Sequence, residues 1–101
     1  MHRMLLTALI LAMVGFAGTA QAAGNAAAGK AKAATCAMCH GADGQGTQIA
    51  PKLAGMDPAK FVQALEDLKS GKLSNPMMTP QAAPLNTEDM QNLAAYYASL
   101  K

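Results

Sequence analysis

The sequence predicts an all-α domain of three main helices joined by two long loops, and three observations carry that prediction. Apolar residues recur at helical spacing in two segments, Phe61, Leu65 and Leu68 in one and Met90, Leu93, Tyr97 and Leu100 in the other. Asn25, Asp57 and Asn86 stand where helix N-caps belong, each in front of a helix-forming run. Between the runs the chain collects breakers: Gly41, Gly44, Gly46 and Pro51 in the first gap, Pro76, Pro80 and Pro84 in the second. Nothing in the sequence alternates with the period of a strand, and no internal repeat is present.

The elements follow in order. Residues 1–22 read as a secretory signal peptide: His2 and Arg3 are the basic start, Met4 to Phe16 the apolar stretch, and Ala20-Gln21-Ala22 the small-x-small cleavage pattern. The apolar stretch is shorter than the ~20 residues of a membrane-spanning helix. Cleavage after Ala22 leaves residues 23–101 as one small domain, without a membrane span and starting at Ala23. In the domain, Asn25 caps an Ala- and Lys-rich run from Ala26 to the first cysteine, interrupted only by Gly29. A mid-helix glycine costs about 1 kcal/mol relative to alanine, so a close packing contact is its expected reason. Gly41 to Gly55 is loop. Asp57 and Pro58 then supply an N-cap and a proline at the first helical position, the stripe Phe61, Leu65, Leu68 faces inward, and Gly71 marks the end. Lys72 to Leu85 is a second loop, where three prolines exclude regular structure through much of its length. Asn86 begins the last helix, whose first turn carries Glu88 and Asp89 as the helix dipole prefers, with Tyr96 at the edge of its apolar stripe.

Chemistry concentrates in Cys36-Ala37-Met38-Cys39-His40. C-x-x-C-H is the attachment pattern for a c-type haem. Two thiols within one helical turn can each form a thioether with a haem vinyl group, and the next residue offers an imidazole to the iron. The same residues fit other chemistries less well. A structural zinc site takes four Cys or His ligands, whereas this chain has 2 Cys and 2 His, with His2 in the segment expected to be removed. A thioredoxin-like C-x-x-C sits in a βαβ setting, which the surrounding helix-to-loop pattern lacks.

Composition agrees with a cofactor-built core. The chain is 4% aromatic, with no Trp, and a domain of this size rarely buries enough side chain to stand without a staple. A haem is a large, flat, apolar body for short helices to pack around. Formal net charge is +2, and no basic patch interleaved with aromatics appears, which excludes a nucleic-acid partner. Attachment of haem after translocation, together with the export signal, points to the periplasm.

Beyond the haem motif, Asn25-Ala26-Ala27-Ala28-Gly29-Lys30, Pro51-Lys52-Leu53-Ala54-Gly55, Met77-Met78-Thr79-Pro80 and Leu93-Ala94-Ala95-Tyr96-Tyr97 occur in an order that resembles the class I c-type cytochromes. Within them the small bacterial cytochrome c4- and c553-like monohaem domains are most similar, and the likeness spans the whole expected mature chain. It implies the class I cytochrome c fold, three main helices and loops around one covalently bound haem. It implies that Cys36 and Cys39 are the thioether attachments and His40 the proximal iron ligand. Pro51 matches the proline whose carbonyl accepts a hydrogen bond from the other ring nitrogen of that histidine, a contact that orients the ring and raises its basicity. Gly29 matches the glycine at the crossing of the first and last helices, and Tyr96 the aromatic residue packed across it, while periodicity centres Tyr97 in the stripe.

The same resemblance supplies a methionine as second axial ligand. Met77 and Met78 lie in the loop that such a ligand occupies. Met78 is the expected ligand, from its spacing to the last helix and because adjacent residues in extended backbone point in opposite directions. The function implied is one-electron transfer by a periplasmic monohaem cytochrome with transient membrane or periplasmic redox partners, and no catalytic acid, nucleophile or second cofactor site argues for an enzyme. A rival with the same residues is the haem c electron-transfer subunit of an exported dehydrogenase. A haem sensor or peroxidase-like protein needs an open distal position, which a methionine ligand closes.

Overall fold

The computed structural model describes residues 24–101. The expected signal segment and its cleavage site lie outside the described residues. Among the described residues five helices follow one another: α1 Ala26–Lys32, α2 Ala34–His40, α3 Pro58–Ser70, α4 Thr79–Ala82 and α5 Thr87–Ser99. The three main helical runs are where the sequence puts them, and no strand occurs among the described residues.

Each main helix begins on its expected cap. The Asn25 side chain accepts from the Ala28 N–H at 3.0 Å, and Asp57 accepts from the Lys60 N–H at 3.1 Å with Pro58 in the first turn. Asn86 and Asp89 form a reciprocal capping box, in which the Asp89 N–H donates to Asn86 at 2.7 Å and the Asn86 N–H donates to Asp89 at 3.1 Å. Gly71 ends α3 in the left-handed region at φ 90°, a conformation open to glycine at little cost.

The first and last helices cross at Gly29, as the sequence suggests. A Cβ there would lie 2.6 Å from the Asn92 carbonyl carbon and 2.9 Å from the Tyr96 Cβ. The Asn92 side chain also accepts from the Asn25 N–H at 2.8 Å, tying the start of α1 to the middle of α5. Helix α3 packs on the other side of α5, where the Phe61 and Tyr97 rings stack at 5.6 Å. Phe61, Leu65, Leu68, Met90, Leu93 and Tyr97 are buried together. Leu93 and Tyr97 are each 1% exposed, so each contributes about 2–3 kcal/mol of apolar burial. Tyr96 and Tyr97 share α5 without competing: Tyr96 lies over Gly29 at the crossing, and Tyr97 turns into the core.

Three local features differ from expectation. The N-terminal run is two helices: Ala33 has ψ −2°, and its N–H is shared between the carbonyls of Gly29 at 2.9 Å and Lys30 at 3.2 Å, a tightened turn that interrupts the ladder. Helix continues beyond it, through both cysteines to His40. The second loop contains the single turn α4, with Pro80 as its second residue, where a missing N–H breaks no intrahelical bond. Finally, the backbone at Met78 is helical rather than extended, at φ −87° and ψ −31°. Met77 and Met78 are therefore about 100° apart around a helical turn, not on opposite sides of a straight segment.

Candidate functional site

Helix α2 puts Cys36, Cys39 and His40 on one face, because residues three and four apart lie one above the other. Both cysteines are free thiols and half-buried. Met38 falls between them on the opposite face and is 81% exposed. Burial pushes the Cys36 thiol above its ordinary range, partly offset by hydrogen bonding to Tyr97 and Thr35. Burial likewise pushes the Tyr97 hydroxyl well up, with Cys36 adding to the shift. Burial thus favours the neutral form of both groups. A thioether sulfur, which carries no proton to lose, suits the Cys36 position.

His40 ends α2 and is 5% exposed. Its Nδ1–H donates to the Pro51 carbonyl at 2.7 Å. That bond places a proton on Nδ1, so in the neutral ring the lone pair lies on Nε2, which has no hydrogen-bond partner among the described residues.

The loop that delivers Pro51 is folded back by its glycines. Gly41, Gly44 and Gly46 have φ of 97°, 66° and 91°, and only glycine adopts all three without strain. The Gly46 N–H donates to the His40 carbonyl at 2.7 Å, and the Gly44 carbonyl accepts from both Leu53 at 2.8 Å and Ala54 at 2.9 Å. The Gly44 Cα lies flat on Tyr97, where a Cβ would come within 2.7 Å of the ring. The Thr47 hydroxyl donates to the Cys39 carbonyl at 2.6 Å, closing the end of α2 onto the same loop.

Met78 arrives from the other loop, half-buried and packed on the core that also receives Cys36. Met77 is 62% exposed. The sequence reading missed what holds this segment. Asn75 accepts at its side-chain oxygen from the N–H of Met77 at 2.9 Å and of Met78 at 3.0 Å. Its carbonyl accepts from the Thr79 N–H at 2.8 Å, and its own N–H donates to the Thr79 hydroxyl oxygen at 3.1 Å. A signal was present: Asn75-Pro76 repeats the cap-then-proline pattern of Asp57-Pro58. The contacts of Tyr97 with Cys36 and Gly44 were signalled only by its place in the stripe and by the resemblance, which leaves Tyr97 the haem side.

The donor set fits one haem c. Two thiols and an oriented imidazole share a helix face, and a thioether stands in the loop facing the same core. Imidazole and thioether are the axial pair of electron-carrying c-type haems. Among the described residues no group of three or more His, Cys, Asp or Glu is placed to hold a metal ion.

Comparison with known proteins agrees. The cytochrome c family matches residues 26–101. Cytochrome c4 of Pseudomonas aeruginosa is 45% identical over 98 residues, covering 96% of this chain and 48% of that protein. Cytochrome c-554(547) of Halothiobacillus neapolitanus is 45% identical over 91 residues, covering 78% of this chain and 100% of that protein. The crystal structure of reduced cytochrome c4 from Pseudomonas stutzeri superimposes with a TM-score of 0.73 at 36% identity, over 78% of this chain and 47% of that one. The chain spans about half the length of the cytochromes c4 it matches and the full length of cytochrome c-554(547). By fold, by motif and by these relatives, the chain belongs to the cytochrome c family and takes a covalently bound haem c as its cofactor.

Proposed function

We propose that this chain is a periplasmic one-electron carrier, a single haem c domain (residues 23–101) exported by a cleaved signal peptide (residues 1–22). Bound haem c supplies a reversible ferrous–ferric couple. In this reading Cys36 and Cys39 hold the haem covalently, His40 Nε2 is the proximal ligand and Met78 sulfur the distal one, with Pro51 orienting His40.

The observation that carries the reading is the 2.7 Å hydrogen bond from His40 Nδ1 to Pro51. It fixes the imidazole with one bare nitrogen, strengthens that nitrogen as a donor, and holds it at the end of the helix bearing both thiols. Met78, packed on the core from the opposite loop, would give a bound haem its second ligand and leave no open position for a substrate. A fixed pair of ligands changes little between oxidation states, which favours transfer over catalysis. Among the described residues no helix is long and apolar enough to cross a membrane, in keeping with a carrier that meets its donor and acceptor in brief encounters over small areas.

The test is a redox titration of the purified holoprotein with each methionine replaced in turn. Met78→Ala should lower the potential and open the reduced iron to carbon monoxide, and Met77→Ala should leave the six-coordinate spectrum nearly intact. The reverse pattern moves the distal ligand to Met77. Recovery from the periplasm as a stoichiometric complex with a larger cofactor-bearing chain would make this an electron-transfer subunit of an exported dehydrogenase.

A further inference from the structure

Two adjacent methionines carry the same thioether on the same flexible side chain, so side-chain chemistry gives no preference between them. What distinguishes Met77 from Met78 is backbone orientation, and that is held by one pair of residues. Asn75 and Thr79 bracket the two methionines with four hydrogen bonds of 2.8–3.1 Å. Two of these land on the N–H groups of Met77 and Met78 themselves. The far end of the segment is fixed separately, where the Lys69 ammonium donates to the Leu85 carbonyl. Rotation of the turn by one residue, about 100°, would exchange the two side chains, and the Asn75–Thr79 bracket is the contact such a rotation must break.

We propose that Asn75, locked to Thr79, is the positioning residue that selects Met78 over Met77 as the sulfur presented to the haem. The proposal rests on the reading of Met78 as distal ligand. Asn75 acts through the backbone and touches no ligand atom. Its side-chain oxygen accepts from both N–H groups at once, which fixes the turn in the observed register. Thr79 completes the bracket by accepting from the Asn75 N–H, so that Asn75 cannot swing away from the turn it holds. Met78 is thereby directed onto the core and Met77 outward, as their burial shows.

The test follows the methyl resonance of iron-bound methionine in reduced holoprotein carrying isotope-labelled methionine. The parent should show one ligated methyl. Asn75→Leu, which removes the acceptor at similar volume, should show two, with the equilibrium for displacement of sulfur by carbon monoxide about fivefold to thirtyfold more favourable, as loss of one to two hydrogen bonds implies. Adding Met77→Leu to Asn75→Leu should restore a single ligated methyl, and Asn75→Asp, which keeps the acceptor oxygens, should resemble the parent. If Asn75→Leu does not accumulate as holoprotein, Thr79→Val carries the same test, with Thr79→Ser as its rescue. A single parent-like methyl in Asn75→Leu or Thr79→Val, or a second methyl that survives Met77→Leu, overturns the proposal. Met78→Leu in the otherwise unchanged protein separates the two claims: a persistent ligated methyl there overturns the ligand assignment itself, whatever Asn75→Leu shows.

Discussion

Gly29 lies in backbone contact with Asn92: a methyl group on its Cα would stand 2.0 Å from the Asn92 carbonyl oxygen. A main-chain carbonyl inside α5 cannot swing aside as a flexible side chain would. Gly29→Ala therefore gains up to about 1 kcal/mol of helix propensity and loses more to overpacking. The expected net loss is about 2 kcal/mol, read as a fall of roughly 10 °C in Tm for a domain of this size. An unchanged Tm would mean that α1 and α5 can separate freely.

The His40–Pro51 hydrogen bond can be strained without touching either residue. A Cβ at Gly46, where φ is 91°, would come within 2.9 Å of the Lys52 nitrogen and 3.2 Å of the Pro51 carbonyl carbon. Gly46→Ala should push that carbonyl away from the imidazole and make Nε2 a weaker donor. A weaker donor favours the ferrous state, so the potential should rise, by up to about 40 mV if one hydrogen bond of ~1 kcal/mol is lost. Redox titration checks the sign. A lower potential would separate Pro51 from any control over the ligand.

The cysteines are expected to be needed for folding as well as for attachment. With few aromatic residues and a core completed by the cofactor, the double variant Cys36→Ala/Cys39→Ala should yield little folded protein. Circular dichroism on heating would show a weak, non-cooperative transition. A sharp transition in haem-free double variant would mean that the protein core suffices alone.

At the start of α5, Asn86→Ala removes half of the capping box and should cost about 1 kcal/mol, whereas Asn86→Asp, which keeps an acceptor, should cost only a few tenths. Equal thermal stabilities for the two would remove the cap from the list of things holding α5. The nearby Lys32–Asp89 pair, at 3.6 Å with Lys32 half exposed, adds little by comparison.

What could be read from residues alone was what short-range chemistry decides. Asp57-Pro58, Gly71 and Asn86 set helix limits through bonds made within four residues, and these limits hold. The stripes of α3 and α5 were legible because burial follows the helical period. Gly29 was legible as a close contact; resemblance added the last helix and Tyr96 across from it, while the Asn92 carbonyl, far along the chain, came only from the structure. Pro51 is similar: nothing in its neighbourhood announces a bond to a histidine 11 positions earlier, which depends on three glycines folding the loop back. The break at Ala33 left no mark, since alanine is the best helix former and the interruption comes from a shared hydrogen bond. The Asn75 bracket was legible in principle and was overlooked because three prolines suggested that much of the segment lacks regular structure, although Pro80 stands in the first turn of α4 and Pro76 in the turn before it. Assignment of the haem ligands depends on a group the chain does not encode, and only the motif and the family carry it.

The two sides of the site are fastened unequally. Pro51 belongs to a loop whose backbone is bonded to His40, to itself at Gly44 and, through the Gly55 N–H, to the Tyr97 carbonyl at 2.8 Å. On the methionine side, residues 71–77 are all exposed, and the bracket that aims Met78 is local to its own five residues. Amide hydrogen exchange should therefore divide the domain, with the N–H groups of Gly46, Leu53, Ala54 and Gly55 exchanging near the global rate and those of Met77 and Met78 through a cheaper, sub-global opening. The histidine side then acts as a permanent wall, and the methionine side as the hinge at which the domain first admits solvent.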